Sequence, residues 1–166
     1  ITNYVAFNYL ENVWTIGTMA RGTWNYAPSR NNPIASSCDT DNVNTNYLYN
    51  QELGYNADGS ELTAYIESGD LELSDGEQFI MIRRIIPDFN FGGTAENVNM
   101  TLTLKGKDYP LNTASTLTTA TVGATTAQSH VRARSRDIIF RVESSGTDYN
   151  WRLGTPRFDM RTDGRR

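Results

Sequence analysis

The chain has 166 residues, a formal net charge of -4 and a single cysteine, Cys38. One cysteine excludes an intrachain disulfide and a thiolate metal cluster, and an acidic total argues against a free nucleic-acid-binding domain. An apolar share of 38%, with abundant Thr, Asn, Ser, Gly and Tyr, is typical of short strands joined by polar turns.

The N-terminal residues predict a β-hairpin. Tyr4 to Tyr9 alternates as a strand does, Leu10 to Asn12 can turn the chain, and Val13 to Met19 returns. We interpret Trp14 and Trp24 as core or interface anchors, because tryptophan buries a large area and tolerates one polar partner.

The chain's length fits one ordinary domain, or one domain plus a fragment of another. We expect the hairpin to occupy residues 1–25 and a β-sandwich-like domain to occupy residues 26–166. Because the first residue is Ile1 rather than Met, we expect a processed product or, in preference, a piece of a longer protein. No apolar run approaches the roughly 20 residues that a membrane helix needs.

A long polar segment, Tyr26 to Tyr49, is predicted to be a functional or partner-ordered loop. Within it, Cys38 to Asn46 partly matches a calcium loop. Val43 stands where that loop requires an oxygen ligand, Asn44 where it requires Gly, and Asn50 where it requires Glu. Turn and surface use of the Asp and Asn residues therefore explains the segment better. We therefore expect no metal site.

Two strands are predicted before Pro87. Asn56 to Gly59 is a hairpin-turn signal, since glycine adopts positive φ readily, and Leu62 to Glu67 follows as a strand. Gly76 to Pro87 is apolar on both faces, which predicts a central strand covered on two sides. Strict alternation within it places Phe79, Met81 and Ile85 opposite Ile80, Ile82 and Ile86.

Two segments of different character follow. Val98 to Lys105 alternates between apolar and polar residues, which predicts a half-exposed antiparallel strand. Tyr109 to Thr126 is rich in Thr and Ala without a strong pattern, so we predict a mobile connection there.

The C-terminal part concentrates arginine on strand-like segments. Val131 and Ala133 share one predicted side, and Arg132, Arg134 and Arg136 share the other. In the last segment Phe158 and Met160 lie opposite Arg157, Asp159 and Arg161. We expect Phe140, Trp151 and Phe158 to be core residues.

These patterns predict an all-β fold, an antiparallel β-sandwich-like domain, because no stretch shows convincing helical periodicity. An enzyme is not expected. His130 is the only histidine, and the chain has none of the nucleophile, metalloprotease or nucleotide-binding motifs. We expect no cofactor.

Arginine is interpreted as an assembly residue, because only Lys105 and Lys107 are lysines. Arginine forms planar, bidentate pairs with carboxylates and stacks on aromatic rings. Closely spaced arginines on a bare surface would repel, so we expect carboxylates in Glu61 to Glu77 of the same or a neighbouring copy, or phosphates, to meet them. The predicted interface or channel residues are Arg132, Arg134, Arg136, Arg157, Asp159 and Arg161.

Several motifs together resemble a known family. They are Glu52-Leu53-Gly54 with Asp58-Gly59, then Pro87-Asp88, Trp151-Arg152-Leu153-Gly154 with Arg157, and Asp163-Gly164-Arg165. With them, the chain resembles the C-terminal part of virion proteins of short-tailed bacteriophages, the packaged-DNA stabilisation and tail-tube (nozzle) proteins.

The resemblance implies a ring-forming structural protein of the virion tail or head-to-tail junction, assembled in the host cytoplasm. Its partners would be further copies, the portal or adaptor and other tail proteins, with passing contact to phage DNA and none to membrane. The hairpin in residues 1–25 would be left from a β-propeller blade.

A carbohydrate-binding β-sandwich is the alternative. In it, Trp14, Trp24, Tyr26 and Tyr47 would form a sugar-stacking platform, which requires these aromatic side chains to be exposed. A third interpretation, a glycan-cleaving enzyme, requires two carboxylates that face each other in a cleft.

Overall fold

The computed structural model describes residues 3–38, 47–73, 77–95 and 98–165. These ranges form fourteen strands and contain no helix, so none long and apolar enough to cross a membrane is found among them. All strand pairs are antiparallel, which confirms the predicted all-β fold class. In chain order the strands are β1 (Asn3–Asn8), β2 (Val13–Thr18), β3 (Arg21–Asn25), β4 (Ile34–Ser37), β5 (Leu48–Asn50), β6 (Ala64–Glu67), β7 (Ile80–Ile86), β8 (Phe89–Gly93), β9 (Asn99–Lys107), β10 (Ser115–Gly123), β11 (Ser129–Ser135), β12 (Asp137–Ser144), β13 (Tyr149–Leu153) and β14 (Arg157–Thr162).

The chain divides into two compact units, Ile1–Gly54 and Tyr55–Arg166. This division lies later than the boundary predicted between residues 25 and 26. The physical reason is strand pairing: β3 ends at Asn25 but pairs with β4, and β4 pairs with β5. A boundary at residue 25 would separate the strands of one sheet.

The first unit contains two separate sheets. β1 and β2 form the predicted hairpin, and β3, β4 and β5 form a three-stranded sheet. The prediction of a loop from Tyr26 to Tyr49 is wrong for residues 26–38 and 47–49, the parts of this range that the structure describes. β4 and the start of β5 lie there. These strands have only four and three residues, too few for alternation to reveal them among polar residues.

Two of the sheets of the second unit form a sandwich. Their strand orders are β10-β9-β12-β6 and β11-β7-β14, and the apolar faces of both contribute to one buried cluster. Phe140 on β12 meets Phe158 on β14 edge to face, with ring centroids 5.1 Å apart. Phe140 is buried, and Trp151 and Phe158 pack partly buried against the cluster, which confirms the three predicted core residues.

A β-bulge in β7 changes the predicted faces of this strand. Arg83 has no partner on either neighbouring strand, while Ile82 and Arg84 are paired on both sides. The extra residue shifts the alternation, so Ile80, Ile82 and Ile85 are all buried. The prediction that Ile85 lies opposite Ile80 and Ile82 is therefore wrong, although β7 is central in its sheet as predicted.

The prediction of a mobile connection from Tyr109 to Thr126 is wrong, because this range contains β10. β10 pairs with β9 along nearly its full length, with an irregularity at Leu117. Val122 is buried, and threonine suits a pleated, half-exposed surface. The bulge at Leu117 interrupts the alternation that would have indicated a strand.

β8 and β13 form a small sheet. At one end of it, the motif Pro87-Asp88 contacts the motif Trp151-Arg152-Leu153-Gly154. The N–H of Gly154 donates to the backbone carbonyl of Asp88 (2.8 Å), and the N–H of Thr155 donates to its carboxylate (2.9 Å). A Cβ at Gly154 would collide with that carboxylate. The contact between Asp88 and Gly154 therefore has a structural role: it holds the residue before β8 against the residue after β13.

Candidate assembly surface

The outward residues of β11, β7 and β14 form a surface that we call the arginine face. Residues opposite each other in antiparallel strands share a face, and the register places Arg134, Met81 and Arg161 in one row. A second row contains His130, Arg84 and Asp159. The arginines of this face are Arg84, Arg132, Arg134, Arg157 and Arg161, and Val131 and Ala133 point to the other side, as predicted.

Arg134 is held by contacts within its own chain. Its Nε donates to the carboxylate of Asp163 at 2.6 Å, and Nη2 donates to the carbonyl of the same residue at 3.1 Å. The guanidinium lies 3.9 Å from the centroid of the Phe79 ring. These contacts fix its position next to the end of β14. No pattern in the sequence indicates Phe79 as a stacking partner.

Arg136 lies in the turn between β11 and β12 rather than on the strand. It donates to the carbonyls of Glu77 (3.4 Å) and Arg165 (3.2 Å), and its guanidinium is 5.0 Å from the Phe79 ring. Phe79 is itself anchored by backbone hydrogen bonds to Asp163 and Gly164 at 2.8 Å. Arg136 therefore joins the C-terminal segment to the start of β7.

Asp159 forms its ion pair with Arg84, across neighbouring strands, at 3.7 Å. Arg84 also reaches the amide oxygen of Gln128 at 3.4 Å, and the amide nitrogen of Gln128 lies 3.3 Å from Nε2 of His130. His130 is thus part of a surface hydrogen-bonded row. The role of Arg157 and Asp159 as interface or channel residues stays a prediction.

Three predicted site residues remain open to solvent. Arg132, Arg157 and Arg161 are exposed, and within residues 3–38, 47–73, 77–95 and 98–165 none of them forms an ion pair. Arg132 and Arg134 are two residues apart on one strand, about 7 Å. The arginine face therefore carries an excess of positive charge that Asp159 and Asp163 only partly offset.

The acidic stretch predicted to meet these arginines is mostly engaged elsewhere. Glu67 pairs with Lys105 at 2.6 Å and with Arg141 at 3.2 Å, and Asp70 pairs with Lys107. These pairs lie on the strands of the other sheet or beside them. Glu77 pairs with Arg165 at 3.6 Å. Within the described residues, the stretch therefore supplies no carboxylate to the open arginines.

A polar pocket of about 160 Å³ lies beside Arg134 and is lined by Lys107, Asp108 and Ser135 among others. The hydroxyl oxygen of Ser135 is 2.9 Å from the carbonyl of Lys107 and 3.1 Å from the carboxylate of Asp108. Ser135, Lys107 and Asp108 are thus already linked by hydrogen bonds within the pocket. The pocket indicates no particular ligand.

The predicted aromatic residues are exposed. The exposed fractions are 66% for Trp14, 53% for Trp24, 67% for Tyr26 and 55% for Tyr47. The interpretation of Trp14 and Trp24 as core residues is wrong, because neither is buried by the chain. Their role as interface anchors stays a prediction.

In the described part of the chain, no three or more His, Cys, Asp or Glu side chains are grouped in a way that could hold a metal ion. Residues 39–46 of the calcium-like segment lie outside the described ranges.

Comparison with protein-family models found no matching family, and a search of curated proteins found no match. The resemblance to phage virion proteins therefore stays a prediction from the motifs.

Proposed function

We propose that the chain is a structural, non-enzymatic component of a bacteriophage virion, at the head-to-tail junction or in the tail tube. Copies would assemble into a ring that helps retain or conduct packaged DNA, in contact with the portal or adaptor and other tail proteins. The observation that carries this proposal is the arginine face, where Arg132, Arg157 and Arg161 are exposed without an ion pair in the described ranges.

The arginine face suits a lasting contact for two reasons. Arg134 and Arg84 are already held by Asp163, Phe79 and Asp159, so this part of the face is ordered before a partner binds. Ordered side chains lose less conformational freedom on binding. Arginine is also enriched where protein surfaces bind tightly.

The N-terminal hairpin gives independent support. Its register places Val5 opposite Ile16 and Phe7 opposite Trp14 on one face, and their exposed fractions are 66%, 78%, 44% and 66% respectively. An isolated two-stranded hairpin is at best marginally stable in water, and an exposed apolar patch commonly marks a contact site. A protein that works within an assembly would cover such a face.

The test uses sedimentation velocity of the purified chain and two charge reversals. Arg161→Glu changes the arginine face, and Arg152→Glu makes the same change on β13, outside that face, where Arg152 is also exposed. We expect the unmodified chain to form a discrete higher-order species, Arg161→Glu to shift it toward monomer, and Arg152→Glu to leave it intact.

A monomer at every concentration tested would contradict the proposal, and so would equal assembly by Arg161→Glu and the unmodified chain. Arg134→Glu is a poorer test, because it also removes the contacts to Asp163 and Phe79 and so lowers the stability of the monomer. Raising the salt concentration should weaken the assembly, since the Debye length falls from about 10 Å at 0.1 M to about 3 Å at 1 M.

A further inference from the structure

One face of the sheet β3-β4-β5 collects aromatic side chains. Trp24 on β3 is opposite Ala35 on β4, and Ala35 is opposite Tyr49 on β5. Tyr47 lies on the same side of β5 as Tyr49, since residues two apart share a face. Arg21, opposite Ser37, completes the set. We call Arg21, Trp24, Tyr47 and Tyr49 the aromatic platform.

The centre of the platform is covered, and its outer rings are exposed. Ala35 is only 1% exposed, while Trp24 and Tyr47 are 53% and 55% exposed. The rings of Tyr47 and Tyr49 have centroids 6.2 Å apart. Ala35 is thus closed to a ligand, and the accessible part of the platform is the rings of Trp24 and Tyr47.

Hydrogen-bonding groups lie among these rings. The guanidinium of Arg21 lies 3.9 Å from the Tyr49 centroid, and its Nη1 donates to the carbonyl of Ala20 at 2.9 Å. Its Nε is buried, so only the remaining Nη N–H groups can donate to a ligand. The hydroxyl oxygen of Ser37 accepts the N–H of Tyr47 at 3.2 Å, and its own O–H can still donate. The surface is therefore amphipathic, with stacking faces and polar donors side by side.

Gln51 marks one end of the same face. Its N–H donates to the carbonyl of Pro33 at 2.7 Å, which continues the β4–β5 ladder by one step beyond the pair Ile34 and Asn50. The residue is 7% exposed, and its side-chain nitrogen has no hydrogen-bond partner within the described residues. A buried donor without a partner is uncommon and is costly to retain.

The size of the platform argues against a protein partner. From Ser37 to Pro33 the central strand advances four residues, about 13 Å, and three strands span about 10 Å between the outer backbones. This footprint is far below the roughly 800 Å² that each partner buries in a stable protein interface. It matches a ligand of two or three sugar rings better.

The charge argues against a nucleic acid. The unit that carries the platform has two basic residues, Arg21 and Arg30, and four acidic ones, Glu11, Asp39, Asp41 and Glu52. Proteins that stack bases on aromatic rings combine them with a positively charged groove that follows the phosphates. The single arginine of the platform is engaged with Tyr49.

We propose that the aromatic platform binds a neutral oligosaccharide. The C–H faces of the sugar rings would stack on Trp24 and Tyr47, and hydroxyl groups would accept hydrogen bonds from Arg21 and Ser37. This function is separate from the assembly proposed above. The structure also changes the predicted sugar site: Tyr49 and Arg21 join Trp24 and Tyr47, whereas Trp14 lies on β2, in another sheet.

The experiment presents the full-length chain with an array of neutral oligosaccharides, with sulfated heparin fragments and oligo-dT as anionic probes. The strongest neutral ligand is then titrated by tryptophan fluorescence. We expect Trp24→Ala and Tyr47→Ala each to weaken binding about tenfold or more, as truncation of an aromatic anchor does. Trp14→Ala is the matched control, because Trp14 is also more than half exposed and lies off the platform, and this variant should bind as the unmodified chain does.

Four results would overturn the proposal: no neutral ligand at millimolar concentration, binding of the anionic probes alone, unchanged affinity in both Trp24→Ala and Tyr47→Ala, or an equal loss in Trp14→Ala. Circular dichroism of each variant separates lost binding from lost folding. If Trp24→Ala unfolds, Tyr47→Ala still decides the test. Tyr47 directly precedes the edge strand β5 and is over half exposed, so its truncation should not unfold the chain.

Discussion

Glu67 is the centre of a charge network on the outer face of the four-stranded sheet. It accepts hydrogen bonds from Lys105 (2.6 Å) and Arg141 (3.2 Å), and Arg141 also pairs with Glu143. The hydrogen bond from Lys105, followed by that from Arg141, lowers the pKa of Glu67 below its ordinary value of 4.5. Glu143, followed by Glu67, raises the pKa of Arg141 against the opposing effect of burial.

Glu67→Gln should therefore destabilise the chain at neutral pH and have no effect in acid. A carboxylate with a lowered folded pKa stabilises the fold above its unfolded pKa, and this contribution is lost as the pH falls through the folded pKa. Because the side chains of Glu67 and Lys105 are 33% and 26% exposed, we expect about 0.5–1 kcal/mol at pH 7. Urea unfolding at pH 7 and at successively lower pH, down to about 2, measures how this contribution is lost.

Glu72→Gln is the control, since Glu72 is exposed and forms no ion pair in the part of the chain that the structure describes. It should change the free energy of unfolding by less than about 0.5 kcal/mol at any of these pH values. A Glu67→Gln effect that is equally large in acid would show that packing, and not charge, is responsible.

The arginines show which residue properties a sequence can reveal. Alternation correctly predicted the side on which Arg132 and Arg134 lie, because a strand's geometry alone decides it. It could not predict that Arg134 stacks on Phe79 and pairs with Asp163, since these residues are far away along the chain. The outward direction of an arginine therefore did not reveal how much of its charge is already compensated.

Gly93 controls the pairing of β8 with β13. It has φ of +118° and lies opposite Tyr149. A Cβ there would collide with the carbonyl oxygen of Asp148 and approach the Cα of Tyr149 to 2.6 Å. That same carbonyl accepts the N–H groups of Thr94 (2.9 Å) and Ala95 (3.2 Å), so it is not free to move away.

Gly93→Ala should destabilise the chain by about 2–4 kcal/mol, because it adds backbone strain to a steric clash. Gly69→Ala is the matched control: no atom lies within 4 Å of its added Cβ, and Gly69 lacks positive φ. We expect it to change stability by less than about 0.5 kcal/mol. Similar urea midpoints for the two variants would contradict the role assigned to Gly93.

Among the strands, the regular ones were predictable. β9 alternates throughout and β12 from Ile138 onward, and their inward residues, such as Met100 and Val142, are buried. β7 and β10 each contain a bulge, at Arg83 and near Leu117. One extra residue inverts every later side chain, so an alternation pattern fails at a bulge even where a strand is present.

The buried apolar cluster lies wholly within residues 80–149. In the unit Ile1–Gly54, Ala35 is the only buried apolar residue among those described. Each ordered residue loses about 1–2 kcal/mol of backbone entropy, which burial must offset at about 25 cal/mol per Å². One buried alanine cannot offset this loss for the first unit.

Residues 55–166 expressed alone should therefore fold, with a β-type circular dichroism spectrum and one cooperative urea transition. Residues 1–54 expressed alone should show no cooperative transition, because they bury too little apolar surface. The intact chain measured under the same conditions is the reference for both fragments. An unfolded 55–166 fragment would mean that its core needs residues 1–54, and a cooperative transition in the 1–54 fragment would mean that the hairpin and the aromatic platform are stable by themselves.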